Sequence, residues 1–342
     1  MKNIQEFKSE SLKTTRQGFG EALAEIGAET DKLVVLGTDV TGSVMTSIFK
    51  EKFPDRFVSI GVAEQNATTI AAGLALSGKI AVFSTYSAFA AFRNADQIRI
   101  SVCYNEANVK IGGGHSGITV GPDGATHQSL EEISFLRALP NMTLIVPADY
   151  NQTKLATKAA CRMYGPVYLR FGRSAVPEFT SPNDDFVIGK AEILADGNDV
   201  AIISNGLMVW QSILAAQELD KIGIKCKVIN LHTVKPIDVH AVVTAAVDCG
   251  CVVTAEEHQI YGGLGGAVAE VLAKNYPVPI EFVGMPDRFG GSGEPEELME
   301  KFGLTWQTIF ASALQAIERK NNKKETYRKI SDIKYYQDFK II

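Results

Sequence analysis

The chain has 342 residues, of which 46% are hydrophobic and 21% charged, with a net charge of −5. That length suits two domains of ordinary size, and the acidic balance gives no case for nucleic acid or an anionic membrane surface as partner. No apolar run is long enough to span a bilayer, and the polar N-terminus lacks the apolar core of a secretory signal, so a cytoplasmic location is expected.

Short β-rich runs alternate with helical stretches along the whole chain. In the first half, apolar runs predict strands over 33–36, 57–60, 80–83, 108–111, 143–146 and 167–170. Amphipathic or Ala-rich segments such as 15–28 and 152–163 predict helices between them. That alternation predicts an α/β fold with a mainly parallel sheet flanked by helices. The polar, proline-bearing run 177–185, PEFTSPNDD, reads as an interdomain linker. The pattern then repeats, with strands predicted over 200–204, 226–229, 252–255 and 280–283. The expected division is a first domain over 1–178, a linker over 179–189, a second α/β domain over 190–318 and a charged tail over 319–342. Five cysteines at 103, 161, 226, 249 and 251, without a C-x-x-C, suit reduced core thiols and no disulfide framework.

Several stretches carry residues suited to chemistry. Arg16 in TTRQ, Ser43 in DVTGS and Arg173 in RFGRS stand beside glycines or strand ends, as surface residues or as anion ligands. Glu64 opens the Ala-rich run GVAEQNATTIAAGLALSG. It is either an acid favoured in the first turn of a helix or a carboxylate in a cleft at the carboxyl edge of a parallel sheet. Tyr86, Phe89 and Phe92 recur every third residue, so one helical face would bring them together, as core or as a cofactor box. The densest constellation is GGGHSGITVGPDGATHQ, where His115, Asp123 and His127 lie among six glycines. Histidine and carboxylate handle protons near neutral pH, and glycine permits close backbone approach to a ligand. A metal site from these three is conceivable, but their spread matches no usual ligand spacing. YGGLGGAVAE does not fit a dinucleotide fingerprint, because the glycines are misplaced and EEHQI separates them from the preceding strand; close packing is expected there.

Together GVAEQN, FSTYSAFAAF, HSGITVGPDGATHQSLEE, LPNMTLIVPAD, GPVYLRFGR and VGMPDRFGGSGEP resemble the C-terminal half of transketolase, in the form where the enzyme is split into two polypeptides. The resemblance implies a pyrimidine-binding domain followed by the transketolase C-terminal domain, and thiamine diphosphate as cofactor. It implies that Glu64 hydrogen-bonds a ring nitrogen of the aminopyrimidine and so promotes loss of the thiazolium proton. Tyr86, Phe89 and Phe92 would surround the pyrimidine, and Asp39 in GTDVTGS would join the cofactor-binding set. Arg16, Ser43, His115 and Arg173 match a clamp for a sugar phosphate, Asp123 a reader of a sugar hydroxyl, and His127 a contact to oxygen near the donor carbonyl. His115, His127 and Glu64 are thus the implied catalytic groups. Pro122 departs from the family's frequent Glu in GEDG, which implies a change in shape. The chain has no Gly-Asp-Gly, so the diphosphate and its Mg²⁺ are expected on a partner chain carrying G-D-G…N, in a tetramer with two copies of each subunit.

The implied activity is transfer of a two-carbon ketol unit from a ketose phosphate to an aldose, on pentose phosphates or branched-chain sugar phosphates. Three alternatives stay open: the beta subunit of a 2-oxo acid dehydrogenase, a fragment of a 1-deoxyxylulose-5-phosphate synthase, and a non-catalytic assembly subunit. The first of these needs neither the His115–Asp123–His127 loop nor a phosphate clamp.

Overall fold

The computed structural model describes residues 3–9 and 11–322. In the first half the strands are β1 (Leu12–Thr14), β2 (Leu33–Gly37), β3 (Phe57–Ser59), β4 (Ile80–Tyr86), β5 (Val109–Gly114), β6 (Thr143–Ile145), β7 (Val167–Arg170) and β8 (Ala175–Pro177). The helices are α1 (Thr15–Glu29), α2 (Ser47–Lys52), α3 (Glu64–Leu76), α4 (Ala95–Gln97), α5 (Glu132–Ala138) and α6 (Tyr150–Arg162). The second half holds β9 (Glu192–Ala195), β10 (Val200–Ser204), β11 (Cys226–Asn230), β12 (Thr233–Lys235), β13 (Val252–Gln259) and β14 (Ile280–Met285). Its helices are α7 (Met208–Lys221), α8 (Val239–Cys249), α9 (Leu264–Asn275), α10 (Pro295–Phe302) and α11 (Trp306–Asn321).

Two α/β layers result. The first sheet runs β12-β6-β7-β5-β4-β2-β3, parallel except for β12. The second runs β14-β13-β10-β11-β9, parallel except for β9. Strands buried on both faces by helices must be apolar throughout, and Leu33–Gly37 and Val200–Ser204 are buried at every position. Some helix starts carry side-chain caps: Thr14 accepts from the Gln17 amide at α1, and Asp149 from the Gln152 amide at α6. No helix among the described residues is long and apolar enough to cross a membrane.

The two halves are closely joined. Strand β12 crosses over to pair with β6 of the first sheet. One apolar core runs from Leu144 and Tyr168 to Ile203 and Leu231. The expected linker is no loose tether. Strand β8, Ala175–Pro177, leads into it and is paired with β1. The carboxylate of Asp149 then accepts from the Phe179 and Thr180 amides at 2.9 and 2.8 Å and from the Thr180 hydroxyl at 2.6 Å. A buried helix cap thus doubles as an anchor for the crossing segment. The tail expected over 319–342 begins as the last turn of α11, and from 323 onward it lies outside the described residues. All five cysteines are buried and free.

Candidate active site

The site residues gather along one edge of the first sheet. Asp39 follows β2, Glu64 follows β3, Tyr86 ends β4, His115 follows β5 and Arg173 follows β7. These strands are parallel, so their carboxyl ends open on the same side, where open α/β sheets hold ligands. Arg16 joins them from the first turn of α1.

Glu64 is the first residue of α3 and only 2% exposed. Its two carboxylate oxygens accept from Arg93 Nη1, each at 3.0 Å. Arg93 also lies over the Phe89 ring, 4.1 Å from its centroid. The pair joins a buried carboxylate to a guanidinium whose side chain is 45% exposed. A buried carboxylate whose bonds come from an exposed guanidinium can take another donor without unfolding anything around it.

The aromatic residues divide. Tyr86 ends a strand and Phe89–Arg93 is a π-helical turn, so the three rings do not share one helical face. Tyr86 and Phe89 stack with centroids 6.2 Å apart. Phe92 is exposed and meets Phe135 at 6.3 Å. Tyr86 stacks on the His115 ring at 4.1 Å, and Phe89 meets His127 edge-on at 5.4 Å. Rings, imidazoles and carboxylate therefore form one continuous patch from Glu64 to His115.

His115 is buried with a φ of +50°, and its Nδ1 has no hydrogen-bond partner among the described residues. Burial, then the Arg16 and Arg173 guanidiniums, push its pKa down to about 4. At neutral pH it is an uncharged imidazole with a free ring nitrogen beside two cations. Arg16 is itself pulled down by burial and by Arg173. Arg16 Nη1 donates to the Ser43 carbonyl at 2.9 Å, which brings Ser43 to the cluster through its backbone. Arg173 Nη1 donates to Asp123 at 3.2 Å and to the Val120 carbonyl at 2.9 Å. His127 Nδ1 bonds its neighbour Thr126 at 2.9 Å. Asp39 is exposed at a φ of +63°. Among the described residues no three His, Cys, Asp or Glu gather to hold a metal ion.

The triple glycine before His115 has a different use from the one its sequence suggests. Gly112–Gly114 lie inside β5, facing protein. A Cβ on Gly113 would lie 2.0 Å from the Tyr168 hydroxyl, and one on Gly112 2.6 Å from the Phe19 ring. YGGLGG is close packing as expected: a Cβ on Gly263 would meet Glu256 at 2.1 Å, and one on Gly265 would meet Phe282 at 2.7 Å.

Sequence reasoning missed two charged groups. Arg93 drew no reading from the sequence, and its contacts with Glu64 and Phe89 mark it. Buried Arg170 donates to Glu132 at 2.6 Å, where it holds the Glu132 carboxyl below its usual range despite burial, and lies 3.6 Å from Glu257 of the second domain. The string EEHQI had offered only a break between strand and glycines.

Comparison with known proteins gives the family of both domains. The family model for the transketolase pyrimidine binding domain matches residues 12–178, and that for the transketolase C-terminal domain matches 189–309. The chain is 42% identical over 306 residues to the 6-deoxy-6-sulfo-D-fructose transketolase subunit SqwH of Clostridium sp. (strain MSTE9), spanning 90% of this chain and 95% of that one. It is 38% identical over 305 residues to a subunit of the apulose-4-phosphate transketolase of Phocaeicola vulgatus, spanning 89% and 97%. Among solved structures, a split gene transketolase described as an inactive beta4 tetramer superposes with a TM-score of 0.84 at 45% identity, covering 89% of this chain and 98% of that one.

Proposed function

The chain belongs to the transketolase family, as a counterpart of the C-terminal subunit of its split forms, and from that premise we propose how its residues serve ketol transfer on thiamine diphosphate. The observation that carries the reading is the unbroken patch from buried Glu64 through Phe89 and Tyr86 to the His115–Arg16–Arg173 cluster. A carboxylate held by an exposed guanidinium, a pair of half-buried rings and two guanidiniums beside an uncharged imidazole fit a flat basic heterocycle lying beside an anionic substrate.

In this reading Glu64 exchanges Arg93 for a ring nitrogen of the aminopyrimidine and holds a proton at that atom. Tyr86 and Phe89 pack the ring, each good aromatic contact adding roughly 1 kcal/mol beyond area burial. Phe92 and Asp39 complete the cofactor side. Bound thiamine diphosphate supplies the nucleophilic carbon and the electron sink. Arg16, His115 and Arg173 clamp the substrate phosphate with Ser43 beside them, Asp123 reads a sugar hydroxyl, and His127 polarises or protonates oxygen at the donor carbonyl. The substrate class is a phosphorylated ketose with an aldose acceptor, and pentose phosphates are one such pair. Mg²⁺ and the diphosphate lie on a partner chain carrying G-D-G…N, in a cytoplasmic tetramer with two copies of each subunit. The domain division is 1–178 and 190–318, joined by 179–189.

The test is reconstitution. The purified chain alone, given Mg²⁺ and thiamine diphosphate, is expected to be inactive, in keeping with the description of its structural relative as an inactive beta4 tetramer. Adding the G-D-G-bearing chain is expected to give ketol transfer from a ketose phosphate. Robust transfer by this chain alone, or pyruvate decarboxylation by the pair in place of ketol transfer, overturns the reading.

A further inference from the structure

We propose that Glu257 of the second domain is the positioning residue that fixes the backbone of the 115–127 loop, and with it the aim of His115, Asp123 and His127. The inference rests on the function proposed above for those three side chains.

Glu257 lies in β13 and is 4% exposed. Its Oε1 accepts from the Thr119 amide at 2.8 Å and from the Thr119 hydroxyl at 2.7 Å, a residue 138 positions earlier. Gly117 gives way to the same carboxylate: at a φ of +82°, a Cβ there would stand 2.1 Å from the Glu257 carboxyl carbon. Only a residue without a side chain lets the loop approach so closely. Arg170 fixes the carboxylate from behind, with Nη1 3.6 Å from Oε2 and Nη2 donating 2.8 Å to the Glu257 carbonyl. Burial pushes the Glu257 carboxyl up, while Arg170 and the Thr119 bonds oppose that shift.

The second domain holds the far side of the loop as well. Gln128 Nε2 donates to the Gly291 carbonyl at 2.8 Å and to the Ile118 carbonyl at 3.2 Å. Ser174 donates to the Thr119 carbonyl at 3.0 Å, and Arg173 to that of Val120. Thr119 therefore sits with its amide on Glu257 and its carbonyl on Ser174, four residues after His115 and four before Asp123. Those two side chains leave the loop on either side of the point that Glu257 grips. Charge-assisted bonds to a buried carboxylate are among the stronger neutral-donor contacts a protein makes, so the grip is expected to dominate the loop's local stability. A second domain that contributes no side chain to the candidate substrate site would in this way still set substrate affinity.

The test uses the full chain with its partner, in the variants Glu257→Gln and Thr119→Val. The first keeps the size and removes the charge; the second removes one donor and leaves the Glu257–Arg170 pair in place. In Glu257→Gln, amides 117–124 are expected to exchange with deuterium roughly tenfold faster, with the rest of the sheet unchanged. The KM for the sugar phosphate is expected to rise by a similar factor and kcat to fall with the misplaced His127, while the thiamine diphosphate needed for half-activation stays as in wild type. Thr119→Val shifts the same quantities the same way by less. Unchanged loop exchange in both variants overturns the inference, and so does a loss of protection spread evenly over the chain. If Glu257→Gln does not fold, Thr119→Val decides. If the wild-type pair shows no ketol transfer, the functional reading fails, yet the exchange comparison still reports whether Glu257 holds the loop.

Discussion

Glu64 and Glu256 are two answers to one local situation. Each is 2% exposed and each lies close to a helix start, Glu64 as the first residue of α3 and Glu256 inside strand β13, from which its side chain reaches the start of α9. Glu256 accepts from the Leu264 and Gly265 amides at 2.7 and 2.8 Å, the opening amides of α9. Its carboxylate satisfies orphan donors of a helix start, where the macrodipole also favours negative charge. Glu64 opens α3, but Ala63 provides no side-chain cap there, and the Glu64 carboxylate turns away to Arg93. The donors that an acid satisfies, more than its place at a helix start, separate a structural carboxylate from one available to a ligand.

The largest effect that could break this contrast is kinetic. Glu64→Gln in the reconstituted enzyme is expected to lower kcat by about a hundredfold or more, since an amide cannot hold the proton a positioned acid–base group carries. The fold should persist, because no helix amide loses a partner. Wild-type-like kinetics would put Glu64 beside Glu256 as a helix-start residue. The mirror variant, Glu256→Gln, presents an amide NH₂ to a backbone N–H and should cost about 1–3 kcal/mol of stability. It should lower the urea midpoint of the second domain while kcat and KM keep their wild-type values. A kinetic defect without loss of stability would erase the distinction between the two acids.

The contrast also marks what the sequence made legible. Strands such as Val200–Ser204 and Val167–Arg170 coincide with the sequence runs residue for residue, because strands covered on both faces are mostly apolar, with the polar Ser204 and Arg170 only at their carboxyl ends. The site residues lie near the ends of such strands, so Glu64, His115 and Arg173 could be singled out before any contact was known. The contacts themselves could not. Arg93 lies 29 residues from Glu64, and Glu257 lies 138 from Thr119. No local pattern encodes a pairing across that distance. Gly112–Gly114 looked like a ligand loop because sequence does not reveal that Phe19 and Tyr168 fill the space beside them. The run 177–185 reads as a linker, and no local pattern reveals that Asp149, 30 residues from Phe179, anchors it.

The smallest effect concerns two buried histidines, and it separates the open site from the closed interior. His115 and His232 both have pKa values pushed down to about 4. For His232, packed at a tilt against Phe186 with centroids 4.2 Å apart, burial is the cause. For His115, burial is joined by Arg16 and Arg173. In both cases the unfolded chain takes up a proton near pH 6.5, while the folded chain resists until about pH 4. Between those values the unfolded state binds more protons, so stability is fully present above about pH 6.5 and falls as pH drops toward 4, by at most about 1.4 kcal/mol per pH unit for each histidine. An anion between Arg16 and Arg173 would offset the cationic part of the His115 shift and leave His232 alone. Imidazole NMR titration of the full chain, with and without inorganic phosphate, is expected to show His115 rising by about one pKa unit while His232 stays fixed. Equal movement of both, or of neither, would mean that the cluster around His115 is as closed to anions as the interior around His232.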